Sequence, residues 1–150
     1  MARFTLKTAK LTFLGIFLAI LPTTWVLASD YHDLISGTAG SFEIKGATTI
    51  DVATAKAMFD RGVPFVDVRG PARWAESHIP GAVNLPAISE AELSKIVSKD
   101  QDVVIYGYDP GWRLSAYAVA EAVFWGYKKV LYFRDGFSGW DAAGYPVAKP

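Results

Sequence analysis

From residue 47 onward, short runs of β-branched and aromatic residues alternate with stretches whose apolar side chains recur at helical spacing. The clearest buried strand is 102–106 (DVVIY). Residues 63–68 (VPFVDV) read the same way, with Pro64 at the strand's edge, and 129–133 is a further strand. Shorter strands are expected at 48–50 and at 82–85, the latter between the Pro80-Gly81 turn and Pro86. Between the strands, Asp51 is placed to cap a helix through Ala53, Ala55, Ala57, Met58 and Phe59 that Gly62 stops. Residues 71–77 form a short helix with Pro71 near its start. Ser89 opens a helix over 90–98 through Leu93, Ile96 and Val97, with Glu92 placed for a capping box. A longer helix is expected from about 114 to 125, closed by Gly126, and a last small one over 137–143. Strands alternating with helices imply an α/β fold, a parallel sheet with helices on both faces.

The first 46 residues break this rhythm. Arg3, Lys7 and Lys10 precede an apolar run over 11–21, followed by Pro22 and a small-residue ending at Val26-Leu27-Ala28; the first acid is Asp30. A basic start, an apolar centre and that ending read as a secretory signal over 1–28. The alternative is a retained membrane anchor: 11–28 is 18 residues, within the roughly 17–25 that cross a bilayer. Either way the rest of the chain is expected to be exported, into the periplasm or onto the outer face of the inner membrane, because the positive flank stays inside. Residues 29–46 mix glycines, hydroxyls and charges without a period and read as a linker. The folded domain is expected over 47–150.

Composition narrows the chemistry. The 150 residues carry 15 basic and 15 acidic side chains, a balance that excludes the basic excess of a nucleic-acid binder. Without residues 1–28 the balance is 12 against 15, a net charge of −3. The chain has no cysteine, which removes disulfides, thiolate metal sites and every thiol mechanism. Only His32 and His78 are present, so neither a metal site nor a cofactor is expected.

Phe65-Val-Asp-Val-Arg69 followed by Trp74-Ala-Glu-Ser-His78-Ile-Pro-Gly-Ala-Val-Asn-Leu-Pro86 resembles the first signature of the rhodanese-like domain family. Val103-Val-Ile-Tyr106, the loop and helix after it, Gly126-Tyr-Lys-Lys-Val130 and Asp135-Gly-Phe-Ser-Gly-Trp140 resemble its second half. The likeness runs over about residues 46–148, with several motifs in order and at matching spacing. It implies a three-layer α/β sandwich around a central parallel five-stranded sheet. In the resembling family the strand ending near Tyr106 is followed by a nucleophilic cysteine in a cradle of backbone N–H groups. That cysteine carries a persulfide sulfur to an acceptor, and the cradle and helix N-terminus lower its pKa. Here the matching stretch is Gly107-Tyr108-Asp109-Pro110-Gly111-Trp112-Arg113, and Gly107 occupies the cysteine position.

Each of these residues also has a plain physical reading. Asp67 and Arg69 end a buried strand, where a carboxylate can accept backbone N–H bonds and an arginine can pair with an acid, a structural role, since buried charges need partners. His78 reads as a hydrogen-bonded structural histidine, and Phe137 and Trp140 as packing of the last helix. The seven residues from Gly107 to Arg113 make a loop one residue longer than the resembling sulfurtransferases have, closer to related phosphatases and arsenate reductases. Such a loop can cradle an oxyanion with Arg113 as the fork, while Asp109 would repel it. Ser115 and Tyr108 are the nearby hydroxyls, and no activating base is recognisable. Tyr108 and Trp112 are placed either as interface anchors or, for Trp112, as a cover over the emptied pocket.

The chain therefore reads as a non-catalytic, exported rhodanese-like module that binds a partner protein or serves as an accessory subunit of a membrane or periplasmic complex. The membrane itself is a partner if the N-terminal segment is retained. The alternative is a sulfurtransferase-superfamily enzyme, or an oxyanion binder, using the 107–113 loop. If the frame is intact, Gly107→Cys is expected to put a thiol at the centre of the cradle, activated by the helix and Arg113 and opposed by Asp109. A positive φ at Gly107 would instead make that cysteine strained.

Overall fold

The structure, a computed structural model, describes residues 33–149; the signal or anchor expected over 1–28 lies outside them. Five strands, β3 (Ala47–Ile50), β4 (Phe65–Asp67), β5 (Val83–Asn84), β6 (Asp102–Tyr106) and β7 (Lys129–Phe133), form one sheet in the order β3-β7-β6-β4-β5. All its pairings are parallel. Ahead of it, β1 (Ile35–Ser36) and β2 (Glu43–Ile44) make a small antiparallel hairpin. The helices are α1 (Val52–Asp60), α2 (Pro71–Glu76), α3 (Glu90–Leu93), α4 (Arg113–Phe124) and α5 (Gly136–Ala142).

Strand alternation sorts the core into two layers. Val66, Val103, Ile105, Val130 and Tyr132 face α3 and α4, while Ile50, Phe65, Val104, Tyr106 and Phe133 face α1 and α5. The second layer is aromatic: Trp140 of α5 is fully buried and meets Phe59, Phe65 and Phe133 edge-on. The result is the three-layer sandwich with a five-stranded parallel sheet.

Local caps act where the sequence placed them. Asp51 accepts a bond from the Thr54 N–H at 2.8 Å, and Gly62 follows α1 at a φ of 74°. Ser89 accepts from the Glu92 N–H, but α3 runs only to Leu93 instead of through residue 98. The chain tightens there into i→i−3 bonds, Lys95 to Glu92 and Ile96 to Leu93, and Glu92 pairs with Lys95 rather than closing the capping box. Leu93 and Val97 are nevertheless both buried, which is what the helical spacing encoded.

The described part of the expected linker, 33–46, packs onto the domain. Phe42 and Ile44 are buried in the α4 layer, and Glu43 pairs with Arg134 after β7. Two apolar side chains with a sheltered face to fill outweigh the glycine-rich surroundings.

Burial raises the ionisation of Tyr106 well above the ordinary tyrosine value of 10.0, reinforced by the neighbouring Asp67 carboxylate, and burial also raises Tyr127 and Tyr132. Above pH 10 the unfolded chain loses these protons first, so folding stability is full below that pH and falls as pH rises. Each such tyrosine contributes a slope of about 1.4 kcal/mol per pH unit. Urea unfolding followed from pH 9 to 11 is therefore expected to show a steep alkaline loss that is shallower in Tyr106→Phe.

Candidate functional site

The strand order reverses between β4 and β6: from β4 the chain moves outward to β5, and from β6 it moves the other way to β7. In open α/β sheets the crevice at the carboxyl ends of such strands is where sites form. The loop 107–112 begins there, directly after Tyr106.

A buried polar network underlies the loop. Arg69 donates to both Asp67 carboxylate oxygens, through Nε at 3.0 Å and Nη2 at 2.6 Å, and its backbone N–H also reaches Asp67. The Tyr106 hydroxyl donates to the same carboxylate at 2.8 Å, Arg69 Nη2 reaches the Ser77 carbonyl, and Asn84 Nδ2 donates to the carbonyls of Asp67 and Arg69. The Arg69 guanidinium lies 4.1 Å from the centroid of the Phe137 ring. Asp67 and Arg69 thus find the partners that buried charges need, and they find them in each other. His78 is structural too: it stacks on Trp74, its Nδ1 lies 3.0 Å from the Trp74 carbonyl, and its backbone bridges to Ala148.

The loop itself is tied down at several points. The Gly107 and Tyr108 carbonyls accept from the N–H groups of Phe137 and Ser138 at the start of α5. That approach requires glycine at 136, where a Cβ would stand 2.6 Å from the Gly107 oxygen and φ is 61°. Asp109 turns its carboxylate inward on its own loop and accepts the Gly111 N–H at 2.8 Å, while the Trp112 N–H bonds the Asp109 carbonyl. A side chain of the protein thus occupies one of the amides that would face an anion. The Pro110 carbonyl accepts from Gly40 of the β1–β2 hairpin.

Gly107 is not at positive φ. Its lack of a side chain answers to space: a Cβ there would meet Ser115 Cβ at 2.9 Å, Ser115 Oγ at 3.1 Å and Trp112 Cγ at 3.7 Å. Ser115 is fully buried, donates to the Trp112 carbonyl at 2.7 Å and lies 3.3 Å from the Tyr132 hydroxyl. Neither neighbour is a base, since burial raises Tyr132. Trp112 therefore covers the emptied position with one edge and remains part-exposed.

Arg113 opens α4 but turns away from the loop, its Nη2 3.3 Å from the Tyr117 hydroxyl and its guanidinium 5.7 Å from the Phe42 ring. The cation over the loop is Arg73 of α2, 4.5 Å from the Tyr108 ring and 5.8 Å from that of Trp112. Its only sequence signal is an exposed arginine on a short helix 35 residues before Tyr108, and nothing local marks the contact. The loop thus gathers Gly107, Tyr108, Asp109, Pro110, Gly111 and Trp112 at one place, while Arg113 serves the neighbouring hairpin. Among the described residues no group of three or more His, Asp or Glu side chains could hold a metal ion.

The family model of the rhodanese-like domain matches residues 51–143. The chain belongs to that family. A curated relative named a sulfurtransferase, from Allochromatium vinosum, is 40% identical over 89 residues, 59% of this chain and 80% of that protein. The mitochondrial protein HIGH ARSENIC CONTENT 1 of Arabidopsis thaliana is 27% identical over 118 residues, 71% of this chain and 69% of its own. A crystal structure of a protein from Anabaena sp. superposes with a TM-score of 0.60 at 25% identity, covering 67% of this chain and 82% of the other.

In this rhodanese-like domain the position after β6 is sterically closed. Gly107→Cys is expected to fold with a loss of about 1–3 kcal/mol from overpacking against Ser115. Its thiol should react with iodoacetamide more slowly than free cysteine, because it is wedged between Ser115 and Trp112 and Arg113 is directed elsewhere. Urea denaturation and timed alkylation with mass spectrometry measure the two effects.

Proposed function

We propose that this chain is a non-catalytic rhodanese-like module, exported to the periplasm or held at the outer face of the inner membrane, that binds a partner protein through the 107–112 loop. The observation that carries this reading is Gly107. It stands where the resembling enzymes carry their sulfur-bearing cysteine, and the space beside it is filled by Ser115 and Trp112. A chain with no cysteine elsewhere has no thiol of its own to substitute. Asp109 further opposes an oxyanion by occupying the Gly111 amide. What the loop offers instead is a part-exposed aromatic pair, Tyr108 and Trp112 at 5.9 Å, held against Arg73. Tyr, Trp and Arg are the residue types that most often anchor protein interfaces. The basic and apolar character of residues 1–28 supports export.

Two measurements test the reading. The purified chain is expected to show no thiosulfate-to-cyanide sulfur transfer above a heat-killed control, and no calorimetric heat with millimolar phosphate, sulfate or thiosulfate. Turnover would refute the non-catalytic assignment, and saturable heat would restore the anion cradle. In a cross-linked pull-down from native membranes, the paired change Tyr108→Ala and Trp112→Ala should reduce a specific captured protein at least roughly thirtyfold, the loss expected from removing a 2 kcal/mol anchor. Capture that survives the paired change would remove the loop as the binding surface.

A further inference from the structure

A cavity of about 440 Å³ opens at the carboxyl ends of β3 and β7, beside the start of α1. Its walls are Thr48, Thr49, Asp51, Thr54, Arg134 and Asp135, with Ile50 as the apolar side chain among them. The volume falls in the range of roughly 300–1,000 Å³ that holds small ligands, and the polar lining suits a hydrophilic one.

Two of its charges are under-used. Among the described residues no hydrogen bond or ion pair reaches the Asp135 carboxylate, which stands at the start of α5 without capping it. Arg134 makes one long contact, Nη1 to the Glu43 carboxylate at 3.3 Å; its Nη2 is unbonded and its Nε is buried without a partner. Glu43 is exposed and shares its carboxylate between Arg134 and the Thr49 hydroxyl, 3.2 Å away, so it neutralises the guanidinium weakly. Asp51 is ionised as well, since hydrogen bonds from Thr54 lower its carboxyl below the ordinary 3.8.

We propose that this cavity binds a small α-amino acid, its carboxylate at Arg134 and its ammonium at Asp135. The charge pattern selects the ligand. A simple anion meets Arg134 but also two carboxylates, and a simple cation meets the carboxylates but also the guanidinium. A zwitterion answers both signs at once. An α-amino acid carries its two charges on one carbon, matching a cation and an anion that are consecutive in the chain and line the same cavity. Each pairing is a charge-assisted hydrogen bond, and the threonine hydroxyls beside them serve a remaining ligand oxygen. The ligand meets Nη2, because the protein itself closes off Nε. The cavity lies at β3 and β7, apart from Tyr108 and Trp112, so it stands or falls separately from the loop's role.

The test is a chemical-shift titration of the isotope-labelled full chain in detergent. Glycine and L-alanine at millimolar concentration are expected to give saturable shifts at the amides of 48–54 and 134–135. Acetate, methylamine and betaine should bind at least roughly tenfold more weakly: the first two each lack one charge, and betaine keeps both but has no N–H to donate. Asp135→Asn and Arg134→Gln should each weaken glycine at least roughly tenfold, while Lys95→Gln, outside the cavity, changes nothing. The spectrum itself reports whether each variant folds. Where Arg134→Gln loosens the hairpin through Glu43, Asp135→Asn decides, since it removes a charge that no hydrogen bond of the fold uses. No saturable shift with either amino acid, or shifts centred outside the cavity, would overturn the proposal. So would acetate, methylamine, betaine or glycerol binding as tightly as glycine, or full affinity in a folded Asp135→Asn or Arg134→Gln.

Discussion

Everything at the site end of this domain hangs on the buried pairing of Asp67 with Arg69 and Tyr106. One carboxylate accepts from a guanidinium, a backbone N–H and a phenol. Through Arg69 and Tyr106 it also ties down Ser77 and Ile79. Two charges in an interior gain little over apolar residues of the same volume, but removing one partner leaves the other stranded, at roughly 3–5 kcal/mol. The network therefore specifies geometry more than it adds stability. It fixes β4 beside β6, holds the chain between α2 and β5 across their ends, and seats Arg69 on Phe137 of α5. Tyr106 belongs to this network and is the residue before the loop, so the loop leaves the sheet from a fixed point.

From that point the fold keeps the outline of a reactive loop while filling its interior. The carbonyls of Gly107 and Tyr108 are held by α5, the Gly111 amide by Asp109, and the space at Gly107 by Ser115 and Trp112. These substitutions of one group for another are consistent with each other. A cysteine would need Ser115 to withdraw, and an anion would need Asp109 to leave the Gly111 amide. The space at this position is filled by side chains of the protein itself, and Tyr108 and Trp112 keep part of their surface exposed.

Much of this was legible from residue types. Strands 102–106 and 129–133, the caps at Asp51 and Ser89, the need of Asp67 and Arg69 for buried partners and the structural role of His78 all follow from local pattern or from the cost of burying charge. The hairpin at 35–44 was not legible, because its apolar residues become meaningful only when α4 offers a face to cover. The short α3 was overrun because Leu93 and Val97 satisfy helical spacing equally well in a tighter turn. Arg113 looked like the loop's cation by adjacency, and Arg73 holds that position by tertiary contact. The reason for glycine at 107 was equally hidden: backbone freedom and steric closeness select the same residue, and only the position of Ser115 separates them.

Helix α4 connects the loop to the hairpin. Its first turn closes the loop from inside through Ser115, while Arg113, one ridge over, reaches Tyr117 and the hairpin's Phe42. The buried side of the helix is built largely from alanines, which let it lie close to β6 and β7. Close approach has a consequence for Gly107. The nearer α4 sits to the sheet, the less room remains beside Gly107. The crowding at residue 107 and the close seating of α4 are thus two results of the same packing. With Ser115 in place, a larger residue at 107 would have to push the first turn of α4 outward, and would disturb the loop and the Arg113 contacts with the hairpin together.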